Sequence, residues 1–473
     1  MKLGKKNLIL CLGSALLLGS CTVGQKYMRP ELKMPASYKE NMIVTGDTVL
    51  MPWKQFFQDP KLVTLIQRAM EKNVDVSVAL LNLEQLDLSY KQAKLGYIPS
   101  LDLSVNATRA WNSSNSLNGQ LNQSVAGTSN RKYFDDYNAN LGLSWEADIW
   151  GKVSMQKAAA RANYFAQKEN LSALRTRIIA QVAQAYNNLT ALDEQLKVAQ
   201  RNSELSDSTL KMIRLQFESA QVNSLAVEQA EAQKKTAELI VPLTAQNIAI
   251  QENALSILCG SFPDRVERSD WGIASNTTDI FPTGVPATLL SRRPDVKAAE
   301  FAVMAANANT GLAKAAMFPT ITLTPSVGLN SMMFNNWFDM PGSVVKNIAA
   351  GLVQPIFRKK QLRTDYERAQ LEKQKVAEQF RQSVITAIGE VSDALAKTKY
   401  TNERSVLVDE KQAALNKATK NALLLFKSGI ATYLEVITAQ NNSLQNELDR
   451  TEIKRDRMNA VIDLYRSLGG GVE

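Results

Sequence analysis

The sequence contains no histidine, and this absence removes several classes of function. Neither Ser-His-Asp nor Cys-His nucleophilic catalysis is available without it, and no metal site can use an imidazole ligand. The chain also lacks the glycine-rich motifs that bind ATP or dinucleotides. We therefore predict that the protein is not an enzyme, carries no cofactor and binds no metal.

Cysteine is also scarce, with three residues in 473. Cys11 and Cys21 lie in the N-terminal segment, and Cys259 stands alone at the end of an apolar helical run. If Cys11 is removed with a signal peptide and Cys21 carries lipid, no intrachain disulfide can form. Cys259 is predicted to be a buried small residue without a redox role.

No segment after residue 20 is long and apolar enough to be a transmembrane helix. Before that point, three lysines precede a short apolar stretch at residues 8–18, which is typical of a signal peptide. Residues 18–21 read Leu-Gly-Ser-Cys, and small residues leading into a cysteine match a lipoprotein cleavage site. We predict a signal peptide at residues 1–20 and a lipid anchor on Cys21; a plain secretory signal with an accidental cysteine is the alternative. The residue after Cys21 is Thr22 and not Asp, which favours sorting of a lipoprotein to the outer membrane.

Aromatic residues make up only 7% of the chain, and the net charge is +9. The basic residues are not interleaved with aromatic ones, so we expect no nucleic-acid partner. A solvated helical surface explains this charge better.

Several segments recur in the same order in the two halves of the chain, which predicts an internal duplication. The matching pairs are residues 95–103 and 315–323, residues 217–221 and 426–430, and residues 142–143 and 351–352. The predicted domains are a lipidated extended segment at 21–60, a first repeat at 61–260, a linker at 261–284 and a second repeat at 285–473.

Each repeat is predicted to contain a helix, two strands and a long helical hairpin. The strands are indicated by apolar residues at every second position, as at Leu101, Leu103 and Val105. A proline inside the third strand, Pro325, suggests an edge, a bend or a bulge. Apolar residues three or four apart, from Leu171 to Ala199, predict a coiled-coil seam within the long helices.

Each long helical tract is interrupted once. The interruptions are Ser219-Ala220-Gln221 in residues 152–258 and Ser428-Gly429-Ile430 in residues 361–468, and Gly429 suits a left-handed turn position. Four amphipathic strands leave open edges and cannot span a membrane alone, since a barrel needs about eight strands or more. Either several chains share one barrel, or the strands form two small hairpins that pack on their own helices.

Four segments closely resemble the outer-membrane factor family of tripartite efflux pumps, the lipoprotein branch related to TolC, OprM and NodT. They are LLSRRPDVKAAE at residues 289–300, LSWEADIWGK at residues 143–152, Phe318-Pro319, and residues 433–440. The resemblance implies an α+β membrane protein: a homotrimer with a transmembrane β-barrel of four strands per chain, continued by a long periplasmic α-helical coiled-coil barrel. It also implies a location in the outer membrane, lipid-anchored.

The same resemblance implies a passive exit duct for drugs or other small solutes. The implied partners are a periplasmic adaptor protein and an inner-membrane transporter of the RND (resistance–nodulation–division) type, together with outer-membrane lipid. The two interrupting turns would contact the adaptor. Leu434, Glu435 and Thr438 match the positions that narrow the periplasmic end of the tunnel in relatives, although Thr438 replaces an Asp common in the family. Glu435 would then form a ring of carboxylates; the alternative is an ordinary solvated glutamate.

Other functions and roles stay open at this point. The chain could be a periplasmic coiled-coil scaffold without a pore, or a family member serving protein secretion or metal export. Tyr433 beside the second turn could contact the adaptor or pack between helices. Arg292 and Arg293 precede a helix start, where Pro294 and Asp295 favour a structural role over an anion site.

Overall fold

The computed structural model describes residues 23–32, 34–38, 52–113, 115–117, 120, 133–271 and 289–470. Cys21 and the predicted signal peptide lie outside these residues. The helices are α1 (Trp53–Phe56), α2 (Pro60–Lys72), α3 (Val74–Lys94), α4 (Lys152–Glu218), α5 (Ser224–Leu258), α6 (Leu289–Arg292), α7 (Pro294–Ala315), α8 (Gln361–Lys427) and α9 (Tyr433–Ser467). The strands are β1 (Ser100–Ala110), β2 (Phe134–Glu146), β3 (Thr320–Ser331) and β4 (Val344–Val353).

The described residues divide into two compact units, and each unit draws on both halves of the chain. The sheet unit comprises residues 23–29, Gln85–Tyr164 and Phe301–Ala377. The helical unit comprises the described parts of Pro30–Glu84, Phe165–Glu300 and Glu378–Glu473. Within the described ranges, no helix combines the length and apolar character needed to cross a membrane.

The sheet unit is built on one antiparallel sheet with the strand order β1-β2-β3-β4. Directly paired residues share a face, so the register separates the side chains into two sets. One face is apolar and is carried by residues such as Leu103, Leu141 and Val327, which pair in one row across β1, β2 and β3. The other face carries Ser, Thr, Asn and Asp, for example Asn106 paired with Asn138. The predicted period of two is therefore present in all three of these strands.

Pro325 lies in an internal strand, because β3 pairs with β2 on one side and β4 on the other. It faces Ile348 of β4, whereas pairing with β2 is interrupted between Trp145↔Leu323 and Gly142↔Ser326. Of the predicted edge, bend or bulge at Pro325, the edge is excluded, and the structure shows a local interruption of the pairing with β2. The ladder tolerates the missing N–H because the strand gives up its pairs with β2 locally.

Residues 23–25 contact the other segments of the sheet unit. The Val23 N–H donates to the carbonyl of Trp150 at 3.3 Å, and the side chain of Asn307 donates to the carbonyl of Gln25 at 2.9 Å. Gly311 makes room for this segment, since a Cβ there would lie 3.1 Å from the Gly24 Cα and would also clash with the Met155 side chain.

The helical unit has a core that follows the predicted seam of α4. Ile178, Val182 and Leu189 are fully buried, and α2 adds Ile66 and α9 adds Ile462 to the same cluster. Two Phe residues from the chain before α2 complete it, with Phe56 stacked on Tyr465 of α9 at 4.1 Å between ring centres. Helices from both repeats thus share one core, which makes their packing mutually dependent.

Candidate functional site: the paired turns of the helical unit

The two interruptions of the long helices are turns of the same form. In each, a residue with positive φ follows the helix, Ala220 at +53° and Gly429 at +73°. The next amide, that of Gln221 or Ile430, donates back to the carbonyl five residues earlier, at 2.8 and 3.0 Å. This is the Schellman pattern, which satisfies carbonyls left open at a helix end. The left-handed position predicted for Gly429 is confirmed, and it recurs at a non-glycine residue in the first repeat.

Both turns lead into a capped helix. The side chain of Asn223 accepts a hydrogen bond from the amide of Ala226 at 3.1 Å, and that of Thr432 accepts one from the amide of Leu434 at 3.3 Å. Glu435 accepts a hydrogen bond from the Thr432 hydroxyl, and Thr-x-x-Glu is the sequence of a capping box. Hydrogen bonds from Thr432 and from backbone amides hold the pKa of Glu435 below its usual value. Glu435 is therefore an exposed, ionised carboxylate at the start of α9.

The turns rest on a small apolar cluster drawn from both repeats. Its members are Leu210, Ile213, Ala226, Ala230, Phe426, Tyr433 and Val436. The rings of Phe426 and Tyr433 lie 6.0 Å apart, and Tyr433 is buried. Of the two predicted roles of Tyr433, the structure supports packing between helices, because a buried ring offers little surface to a partner.

Large apolar side chains are exposed around the same turns. Phe217 and Leu225 flank the first turn, while Ile430 and Leu434 belong to the second turn and the start of α9. Thr438 lies one helical turn after Leu434 and donates its hydroxyl to the carbonyl of Leu434 at 2.7 Å. The predicted residues Leu434, Glu435 and Thr438 thus sit together on the first two turns of one helix. An exposed apolar surface of this kind marks an interaction site.

A network of ion pairs connects α4 and α5, the two helices of the first hairpin, near the turn between them. Asp207 of α4 lies 2.7 Å from the Lys211 Nζ and 2.6 Å from the Lys234 Nζ of α5. Hydrogen bonds to these two lysines lower the pKa of Asp207 to about 2. Arg214 and Glu231 add a second pair at 2.7 Å.

Helix α9 is joined to its neighbours by a seam of amide side chains, most of them buried, that the sequence does not predict. Asn446, fully buried, donates to the Gln412 Oε1 of α8 at 2.7 Å. Gln440 donates to the Thr209 hydroxyl of α4 at 3.3 Å, and Asn441 bonds to Gln233 of α5. Buried amides fix the register of packed helices, since a shifted helix would leave them unpaired.

Arg293, from the segment that carries the family resemblance, has a structural role. Its guanidinium, 6% exposed, lies 2.6 Å from Asp295 and 2.8 Å from Glu390, and it donates to the carbonyl of Ser467 at 3.1 Å. Burial pushes the pKa of Asp295 upward, but the hydrogen bonds and charge of Arg293 outweigh this and hold that pKa below its usual value. The residue joins the start of α7 to α8 and to the end of α9.

A second polar cluster in the helical unit also went unpredicted. The Tyr186 hydroxyl donates to Asp59 at 2.6 Å and accepts from the Ser269 amide at 2.8 Å. Burial and the bond to Asp59 raise the pKa of Tyr186 to about 12. Next to it, Arg268 is paired with Asp193 and Glu252. These contacts hold residues 261–271, part of the predicted linker, against α4 and α5.

The described residues offer no cluster of three or more cysteine or acidic side chains that could hold a metal ion. Cys259 is buried as predicted, and burial raises the pKa of its thiol to about 11. The paired turns are therefore the candidate functional site, and their features suit contact with another protein.

Comparisons with known proteins give one consistent result. The family profile described as "Outer membrane efflux protein" matches residues 65–261 and 285–470, which is more than half of the chain. Toluene efflux pump outer membrane protein TtgI of Pseudomonas putida is 29% identical over 468 residues, covering 96% of each chain. Cation efflux system protein CusC of Escherichia coli (strain K12) is 27% identical over 461 residues, covering 97% of this chain and 98% of that protein.

Solved structures agree. The MtrE outer membrane channel of Neisseria gonorrhoeae, solved in its open state, is 28% identical and gives a TM-score of 0.84 over 96% of this chain and 99% of its own. A crystal structure of CusC is 26% identical and gives a TM-score of 0.84 over 95% of this chain and 100% of its own.

Proposed function

Because this chain belongs to the outer membrane efflux protein family, we propose that three copies of it form a passive duct through which small solutes leave the cell. Members of the family are channel proteins, and the chain is the outer-membrane component of an efflux system. The predictions of family, of a trimeric β-barrel with a helical barrel, and of an outer-membrane location are confirmed. The chain itself performs no reaction in this proposal.

The sheet is the observation that carries the proposal. In β1, β2 and β3 one face is apolar, with exposed side chains such as Leu103 and Val105, and the opposite face is polar. In β4 the separation is incomplete, because Ile348 shares the apolar face with Lys346 and Val345 lies on the polar face. A transmembrane barrel needs this alternation, with apolar residues towards lipid and polar residues towards the lumen. The edges β1 and β4 carry unpaired backbone groups that lipid cannot satisfy, so neighbouring subunits must pair with them. In a soluble scaffold this apolar face would be exposed to water, which is unfavourable.

We further propose that Glu435 and Leu434 narrow the periplasmic end of the duct. Glu435 is exposed and ionised at the start of α9, and Leu434 is exposed beside it. Three copies of Glu435 around one axis would attract cations, by the logic of carboxylate rings in cation channels. Three copies of Leu434 would form an apolar ring that resists wetting. Thr438 is the third residue of this constriction.

The two turns, Ser219-Ala220-Gln221 and Ser428-Gly429-Ile430, are the proposed contacts for the adaptor protein. The apolar side chains of Phe217, Leu225 and Ile430, in or beside these turns, are exposed, and the turns pack on the apolar cluster that includes Phe426 and Tyr433. The transporter that supplies the energy lies in the inner membrane and is of the RND type in this proposal. Cys21 is the proposed site of the lipid anchor.

The relatives differ in what their names say they export, from toluene and solvents to cations. That spread is expected if the duct is passive and the inner-membrane transporter selects the solute. We propose drugs or other small solutes as cargo. The described turns carry neither histidine nor clustered methionine, the soft ligands that suit a dedicated metal duct.

The proposal is tested by purifying the full-length protein in detergent, determining its subunit number and recording conductance in a planar bilayer. Wild type is compared with Glu435→Gln, which removes the charge but keeps a capping-box sequence. The matched control is Glu403→Gln, an exposed glutamate in the middle of α8. We expect a trimer with small, discrete, cation-selective conductance, and a reversal potential in a salt gradient that moves towards zero only in Glu435→Gln.

The outcomes separate the parts of the proposal. Monomers that never conduct would overturn the duct. A trimer whose Glu435→Gln and Glu403→Gln forms select cations as well as wild type would keep the duct and overturn the carboxylate ring.

A further inference from the structure

The connection between β3 and β4, residues 332–343, has an unusual surface. Five of its side chains are large, apolar and between 46% and 67% exposed: Met332, Met333, Phe334, Phe338 and Met340. Asp339 is the only ionisable residue among the twelve. Connecting segments on a water-exposed surface are normally polar, and a continuous exposed apolar surface marks an interaction.

This connection is a folded structure with a hydrogen-bonded backbone. The hydroxyl of Ser343 donates to the carbonyl of Asn336 at 2.5 Å, and its amide donates to the carbonyl of Asp339 at 2.9 Å. The Ser331 hydroxyl donates to the Met333 carbonyl at 2.9 Å. A loop in contact with lipid must satisfy its polar backbone groups internally, because the hydrocarbon offers no partners. Within residues 332–343, the carbonyls of Met333, Asn336 and Asp339 accept these internal hydrogen bonds.

The connection folds back over the apolar face of the sheet. Tyr137 lies on that face, since it alternates along β2 with Ala139 and Leu141. The ring of Tyr137 is 5.6 Å from both Phe334 and Trp337, whose indole N–H donates to the Leu329 carbonyl at 3.2 Å. The apolar side chains therefore lie on the side of the sheet that meets lipid, and away from the polar face.

The apolar face ends just beyond this level. Arg109 and Asp135 form the next pair on the same face after Ala107↔Tyr137, with their side chains 2.6 Å apart. The Arg109 guanidinium also lies 4.1 Å from the centre of the Tyr133 ring. A charged pair with aromatic neighbours is typical of the membrane–water boundary, where amphipathic side chains are enriched.

We propose that residues 332–343 form a second, protein-made membrane anchor, with Phe334, Phe338 and Met340 inserted among the acyl chains of the outer leaflet. The opposite ends of all four strands lead into the helices, which are periplasmic, so this connection lies at the outer side. Its surface continues the lipid-facing surface of the sheet. Lipid is thus its partner, and the buried Trp337 holds the inserted side chains in place.

The test places one spin label at a time in the trimer, reconstituted into vesicles of phosphatidylethanolamine, phosphatidylglycerol and lipopolysaccharide. Labels at Phe338→Cys and Met340→Cys are compared with Leu103→Cys on the apolar face and Asn106→Cys on the polar face, all in a Cys259→Ala background. Collision with dissolved oxygen reports lipid, and collision with a water-soluble nickel chelate reports water. We expect the two loop labels to match Leu103→Cys, with high oxygen and low nickel collision rates.

Two results would overturn the proposal. Loop labels that collide with nickel as often as Asn106→Cys would place the connection in water. Labels shielded from both reagents would show that a neighbouring subunit covers it. Subunit number is measured for each variant, so that a label that disrupts the trimer is recognised, and Met333→Cys then provides a further position in the same connection.

Discussion

The two turns of the helical unit predict opposite effects for two reciprocal substitutions. Ala220 and Gly429 occupy the same left-handed position, but only glycine adopts that conformation without steric cost. Ala220→Gly should therefore stabilise the first turn, and Gly429→Ala should destabilise the second. Most Ala-to-Gly changes within elements have the opposite sign, which makes this a demanding test.

The magnitude follows from the surroundings of Gly429. A Cβ built on it meets no atom within 4 Å, so the substitution adds no clash and its cost is only that of the backbone conformation. That cost is about 1 kcal/mol for an L-residue, or roughly a fivefold change in the local opening equilibrium. We expect about the same gain for Ala220→Gly.

Hydrogen exchange read by mass spectrometry on the intact trimer gives the local opening free energy. The reporting amides are those of Gln221 and Ile430, which close the two turns. The control is Ala232→Gly, the same chemical change at an exposed position inside α5, which should destabilise its helix by about 1 kcal/mol. If Ala220→Gly speeds the exchange of Gln221, the positive φ is not the source of strain and the reasoning fails.

Three further predictions concern the helical unit. Tyr186→Phe should lower the free energy of unfolding by about 2 kcal/mol, measured by denaturant titration, because the buried carboxylate of Asp59 loses a hydrogen bond; an unchanged midpoint would mean that Asp59 finds another donor. Arg293→Met should lower the free energy of unfolding by about 2 kcal/mol in the same assay. The loss is smaller than for a fully buried ion pair, because Glu390 is partly exposed. A higher free energy of unfolding in the variant would contradict the bridging role of Arg293. Cys259 has a folded-state pKa of about 11, above the unfolded value near 9, so its thiol stays protonated in the native protein until the pH rises through about 11. At pH 9.5 iodoacetamide should label the denatured chain and spare the native one, and rapid labelling of both would show that the thiol is accessible.

Features with a local sequence signature could be predicted. The spacing of Leu171, Val182 and Leu189 indicates a buried helical seam, and the alternation through Leu101 and Leu103 indicates a strand. Both patterns can be recognised in the sequence because the periods of a helix and of a strand depend on residues close together in the chain. The two helix interruptions fall at the predicted residues for the same reason. The site residues of the paired turns come from the family resemblance, and their roles as gate and adaptor contact stay predictions, as does lipidation of Cys21.

Contacts between distant residues had no such signature. Tyr186 and Asp59 are 127 positions apart, and the sequence around neither residue predicts their hydrogen bond. Arg268 lies in a segment predicted to be a linker, yet it is held by Asp193. The internal place of Pro325 likewise depends on strand order, which is a property of the whole sheet.

The polar face of the sheet has a consequence for what the barrel can admit. On β1 and β3 its members are short side chains, such as Ser104, Asn106, Thr322 and Ser326, and neither strand places a lysine or arginine there. A wall of small hydroxyl and amide groups leaves the cross-section wide and well hydrated. Such a wall does not sieve by size. The charged side chains that the described strands place on this face are carboxylates, Asp102, Asp136 and Glu146, so the wall offers no cationic group to a passing anion. Selection by size is then left to other parts of the duct than the described strands, and enlarging the side chains of this face, as in Ser104→Trp, would add a size filter to the sheet.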